Sequence, residues 1–286
     1  MMFGKFHNKN SRKRGISPAI STVIMTGAMI AILSVALVFA NNLLWSKVAE
    51  GDFDSSKQLM QSIGLQIDDV AWTTGRTETI RYATQYGDIE FEPLVVDYTI
   101  NVTVGEVVHQ YTYSTGALMF NLPTYRYSIS DDYWERIYPD PDESLTLTGT
   151  SAPVARVFAI ERTPMPDGKY IRVVTVPSIR VLNSSISTST YSTCYIKMYL
   201  PILTAGESPR LTQSITLTGE SVNASTTNGV SSVNVSVGFP KGVSDDFDSA
   251  FFNFPASSQD IAIPSGYDNV VFEFYLSEVS VGFGVS

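Results

Sequence analysis

Histidine is the side chain most often used for proton transfer and metal ligation near neutral pH, and this chain has two, His7 and His109. His7 lies in a short basic head segment. A Ser-His-Asp triad or a histidine metal cage would therefore rest wholly on His109. That residue sits in VVHQYTY, an alternating strand pattern, and reads as a strand-face histidine. No phosphate-cradling P-loop, no G-x-G-x-x-G after a strand and no H-E-x-x-H occurs. The residues thus assign no catalytic group, no cofactor and no enzyme activity. Cys194 is the single cysteine, so no intramolecular disulfide can form; the apolar run YIKMYL follows it, and it reads as a small buried hydrophobe.

Carboxylates could instead supply oxygen ligands to calcium. They cluster at Asp131-Asp132, at Asp140, Asp142 and Glu143, and at Asp245-Asp246 with Asp248. None has the EF-hand spacing with its glycine and terminal glutamate, so no metal is assigned. Asp245 and Asp246 read as the acidic first turn of a short helix, where negative charge meets the positive helix end. Four N-x-S/T sequons stand at Asn101, Asn183, Asn223 and Asn234, each a glycan acceptor if the domain is exported. Asn183 and Asn223 lie nearest expected turns. Asn101 and Asn234 fall inside expected strands, where use needs an outward side chain.

The elements that would carry these residues begin with an apolar helix. Positions 18–40 read PAISTVIMTGAMIAILSVALVFA without a charge. As a helix this run spans about 33 Å, the thickness of a bilayer's hydrocarbon core. Gly27, Ala31 and Ser34 place small side chains four and three apart on one face, a pattern that lets membrane helices approach closely. Lys5, Lys9, Arg12, Lys13 and Arg14 crowd the stretch before it, and no acidic residue precedes Glu50. A basic head followed by an acidic body orients the head to the cytoplasm and the body outside. The overall charge of −9 disfavours nucleic acid as a partner.

Arg12-Lys13-Arg14-Gly15-Ile16-Ser17-Pro18-Ala19-Ile20 resembles the class III signal peptide of archaeal type IV pilins and archaellin-like proteins. In that family a basic stretch ends in glycine, and a membrane peptidase cuts directly after it. The resemblance implies cleavage between Gly15 and Ile16, removing 1–15 and keeping the apolar helix. It covers roughly the first 40 residues. Bacterial pilins carry Glu at the fifth mature position; Ile20 stands there in this chain, which points to the archaeal branch. The family also implies that Ile20, Gly27, Ala31 and Ser34 pack against other copies in a filament.

Beyond Trp45, Met60, Ile63, Ile67 and Val70 recur three, four and three apart, predicting an amphipathic continuation over 54–72. Glu50-Gly51-Asp52 is a candidate bend, with Asp54, Ser55 or Ser56 as caps of a second segment. The helical region is therefore 16–73, with the β-rich domain at 77–286. In that domain 95–104 and VVHQYTYS flank Gly105-Glu106, a hairpin signal. Segments 154–162 and 170–182 flank PMPDGK, and further strands are expected at 192–200, 211–222, 230–239 and 270–276. A short helix is expected over 244–254, with Phe247, Ala250, Phe251 and Phe254 on one face. The expected fold is α+β, a long hydrophobic N-terminal helix followed by a mostly antiparallel, sandwich-like head as in pilins.

The resulting expectation is a structural subunit of an archaeal pilus-like surface filament. Its helix would sit in the membrane before assembly, and its head would face outward for subunit contacts and adhesion. The implied partners are other copies of the chain, a prepilin peptidase and the pilus assembly machinery. Two rivals fit the same apolar run: a monomeric surface binding protein held by an uncleaved anchor, and a domain secreted after cleavage at Ala40.

Overall fold

The computed structural model describes residues 18–284 except 128, 130–132, 140–143, 166–167, 208–212 and 243–246, with backbone alone at 161–165 and 168. The chain divides into two compact units, Met1–Lys47 and Val48–Ser286. One helix, α1 (Pro18–Ala71), runs from the first into the second. Proline suits its opening position, because the first turn has no acceptor for that missing N–H.

The helix does not break at Glu50-Gly51-Asp52: α1 is a single α-helix through these residues. Asp52 is held instead by three donors, Thr84 Oγ1 at 3.1 Å and the amides of Gln85 and Tyr86 at 2.9 Å each. Ala49 and Phe53 are buried on either side. These contacts offset the cost of about 1 kcal/mol for glycine within a helix. Asp54, Ser55 and Ser56 are accordingly interior helix residues, not caps, and the Ser56 hydroxyl donates back to Phe53 O at 2.6 Å.

Among the described residues the second unit also holds thirteen strands, in two sheets. The first has six strands in the order β1 (Thr77–Arg81), β10 (Ser214–Asn228), β13 (Asn269–Phe283), β9 (Ser192–Ala205), β8 (Ile179–Ser187) and β5 (Thr146–Thr148). The second has seven: β12 (Ser258–Asp260), β11 (Val230–Gly238), β2 (Asp88–Val104), β3 (Val107–Pro123), β7 (Gly168–Pro177), β6 (Ala155–Met165) and β4 (Trp134–Tyr138). All neighbours are antiparallel except β13 with β9 and β5 with β8. The architecture is α+β, a long apolar N-terminal helix followed by a mostly antiparallel β-rich domain.

The expected hairpin forms with Val104 opposite Val107. Gly105 has φ 61°, a conformation that a side chain disfavours. The run 170–182 is not one strand. Pro177 offers no N–H, Ser178 N bonds to Val154 O at 2.8 Å, and the chain crosses from β7 in one sheet to β8 in the other. The short helix α2 is only Ser249–Phe252. Its cap is Asp248, whose carboxylate accepts from the amides of Ala250 and Phe251 at 3.0 and 2.9 Å. Its first turn contains no acidic residue; Asp245 and Asp246 precede it and lie outside the described residues. Phe247 and Phe251 are buried and Phe254 packs on the same cluster, whereas Ala250 is exposed.

Two hydrophobic clusters organise the domain. One joins the two sheets, with Tyr98, Ile100, Met119, Phe158 and Val174 meeting Ile196, Met198 and Phe274. The other joins α1 to the strands, with Met60, Ile63, Ile67 and Val70 against Leu118, Phe120, Val157 and Val173. β3, β6 and β7 thus contribute to both clusters with alternate residues. Double-sided burial explains why these strands read as continuous apolar runs.

Candidate functional site

The apolar half of α1 forms an exposed surface. Every residue from 18 to 48 is exposed, including Ile20 at 56 % and Phe39 at 70 %. Gly27, Ala31 and Ser34 are among them, and nothing lies within 4 Å of a Cβ placed at Gly27. Two hydroxyls in this stretch turn back on the helix: Thr22 Oγ1 donates to Ala19 O at 2.9 Å and Ser34 Oγ to Ile30 O at 2.9 Å. Such back-bonding suits a medium that offers no water. Among the described residues, this helix alone is long and apolar enough to cross a membrane. It is compatible with membrane insertion or with a signal anchor. Gly15 and Ile16, the expected processing site, lie outside the described residues.

Within the second unit, the other half of α1 is seated on the strands. Ala49, Phe53, Ser56, Met60, Ile63, Ile67 and Val70 are buried at alternating spacings of four and three. Each fully buried Met, Ile or Val contributes about 1.5–3 kcal/mol. Close approach is permitted at Gly64, where an added Cβ would lie 3.4 Å from Val157 and 3.5 Å from Ala155. The Thr175 hydroxyl donates to Met60 O at 3.1 Å, giving a buried sheet hydroxyl a helix acceptor.

Polar clamps fix both ends of this seat. Lys57 Nζ meets Glu135 Oε2 at 2.5 Å and stands 4.6 Å from the Phe53 ring centroid; the Tyr133 hydroxyl also donates to Glu135. Burial alone would lift the Glu135 carboxyl, but hydrogen bonds from Lys57 and Tyr133 and the lysine charge together hold it below its ordinary range. Tyr133 is pushed up, by burial first and then by its bond to that carboxylate. In the last turn of α1, Asp68 accepts from Trp72 Nε1 at 2.7 Å and from Arg180 Nη1 at 2.9 Å. The guanidinium lies over Tyr199 at 4.9 Å, and Tyr199 stacks on Tyr275 at 4.8 Å.

Sequence reasoning did not find these clamps. Lys57 and Asp68 are eleven residues apart, about three helical turns and hence on one side, which is the one local signal they leave.

The sequons fall into two pairs. Asn101 and Asn234 are direct cross-strand partners on β2 and β11, both half-buried. Asn183 and Asn223 are exposed, on β8 and β10, within strands and not in turns. His109 is exposed opposite Val102, and Cys194 is buried in the cluster joining the sheets, where burial pushes its thiol up. Among the described residues no group of three or more His, Cys, Asp or Glu could hold a metal ion. Asp131, Asp132, Asp140, Asp142 and Glu143 lie outside them.

Comparison of the chain with protein-family models, curated proteins and solved structures returned no match in any of the three.

Proposed function

We propose that this chain is a structural subunit of an archaeal type IV pilus-like surface filament. The observation that carries the reading is the contrast along α1. Residues 18–48 are exposed and apolar as far as Ala40, while Ala49 onward is stitched into the head by a heptad stripe and three polar clamps. A subunit that moves from lipid into a helix bundle needs a lipid-soluble tail joined to a folded head. Before assembly the helix sits in the membrane with its N-terminus in the cytoplasm and the head outside. Cleavage between Gly15 and Ile16 by a prepilin peptidase removes the basic head. The helix can then exchange lipid for other copies of itself, with Ile20, Gly27, Ala31 and Ser34 at the contacts. The head, sandwich-like in this reading, coats the filament and supplies subunit contacts and adhesion.

A Gly15→Leu variant tests the assignment. It should remain in membranes at full length, leaving sheared surface material empty of the protein. Undiminished sheared filaments from this variant would overturn cleavage after Gly15 as the step that releases the subunit for assembly.

A further inference from the structure

We propose that Asn183 and Asn223 carry N-linked glycans and that these sugars close two open margins of the six-stranded sheet, while Asn101 and Asn234 stay bare. β8 pairs β9 along 180–187 but meets β5 only along 179–181, so among the described residues 182–187 has a paired strand on one side. β10 pairs β13 along 215–228 but meets β1 only along 214–218, so among the described residues 220–228 is open in the same way. An open strand edge offers unpaired N–H and C=O groups to any other chain. Proteins guard such edges with lysine, proline, bulges or a covering element.

These two segments read LNSSIS and ESVNASTTN. Neither contains lysine, arginine or proline; the second has a bulge only at its start, between Gly219 and Ser221, and each contains one sequon. Apolar side chains beside the sequons lie open, Ile186 at 61 % and Val222 at 36 %. Both sequon asparagines are exposed. A hydrated oligosaccharide on each would exclude a second strand from the edge without any charge.

The other two sequons are placed against use. Asn234 lies on β11 with β2 on one side and β12 on the other. Its Nδ2 donates to Ser258 Oγ at 3.0 Å and to Asp260 Oδ1 at 2.8 Å, so both amide hydrogens are engaged. Asn101 stands directly opposite it, with β3 on its other side.

The transfer needs a polyisoprenyl-phosphate-linked oligosaccharide as donor. Asparagine Nδ2 bonds to the anomeric carbon as the bond from that carbon to the phosphate oxygen breaks. The amide gives up one proton, the lipid phosphate leaves, and nothing is oxidised or reduced. The inference rests on the part of the functional reading that puts the head outside the cell, and not on filament formation.

Peptide mapping by mass spectrometry of the full chain from its own cell surface tests the site assignment. Peptides containing Asn183 and Asn223 should carry sugar, and those containing Asn101 and Asn234 should not. Sugar on either of the latter, or bare Asn183 or Asn223, would overturn it. Ser185→Ala with Ser225→Ala removes both sequons but keeps both asparagines, and Asn183→Gln with Asn223→Gln serves as the second variant. In detergent, both should sediment as dimers and larger oligomers where the glycosylated chain does not; unchanged sedimentation would overturn the edge-closing role. A mature start at Met1 with both sites glycosylated would remove the filament reading alone, and a start at Ile16 with both sites bare would remove this inference alone.

Discussion

Arg180 donates to Asp68 across 2.9 Å, joining β8 to the last turn of the long helix 112 residues earlier in the chain. The arginine side chain is 12 % exposed, and Asp68 also holds Trp72. One carboxylate thus fixes both a buried cation and an indole N–H where the helix leaves the strands.

Replacing Asp68 with Ala should destabilise the head by about 1–3 kcal/mol, because a buried donor loses a charged acceptor. Urea unfolding of the full chain in detergent, followed by tryptophan fluorescence, measures this. Asp69→Ala is the control. Asp69 is 61 % exposed and 3.6 Å from Arg76, so its loss should shift stability by less than about 0.5 kcal/mol.

Two glycines separate folding from assembly. At Gly219 an added Cβ would stand 2.5 Å from Val70 O and 2.7 Å from Thr73 O, both backbone atoms that cannot swing aside. Gly219→Ala should therefore cost roughly 1–3 kcal/mol in the same unfolding measurement. Gly27 has nothing within 4 Å. Gly27→Leu should leave the unfolding midpoint of the head unchanged while lowering the yield of sheared filaments, since a small face is needed for close helix approach. Full filament yield from that variant would remove Gly27 from the contacts.

Acid should loosen the base of the seat. The Glu135 carboxyl is held below its ordinary 4.5 in the folded chain. A depressed carboxylate contributes stability that is present above the unfolded value and lost as pH falls through the folded one. Its share is therefore complete near neutrality, begins to fall below about pH 4.5 and is gone only below the depressed value of the folded chain. Glu135→Gln should flatten the acid side of the stability profile, and a profile parallel to the parent chain's would show that this carboxylate is not linked to folding.

The helix seat was largely legible in the sequence. Met60, Ile63, Ile67 and Val70 announced it by spacing, and all four are buried. The hairpin at Gly105 was equally local in origin. What escaped was set by distant partners. Nothing near Glu50-Gly51-Asp52 reveals that the carboxylate is satisfied by residues 84–86. The change of sheet at Ser178 hides inside an apolar run, because β7 is buried on both faces and shows no alternation to interrupt. Asn101 and Asn234 are 133 positions apart in the chain, and only strand register makes them neighbours. The same limit applies to the sequons: proximity to a turn favours Asn183 and Asn223, yet both lie within strands, and only the pairing register shows where in the sheet they stand.

The most direct test of the filament account is the N-terminal peptide of the native protein, read by mass spectrometry in sheared surface material and in membranes separately. The account predicts a mature start at Ile16 in the sheared fraction. A start at Met1, confined to membranes, would contradict it and leave an anchored surface protein.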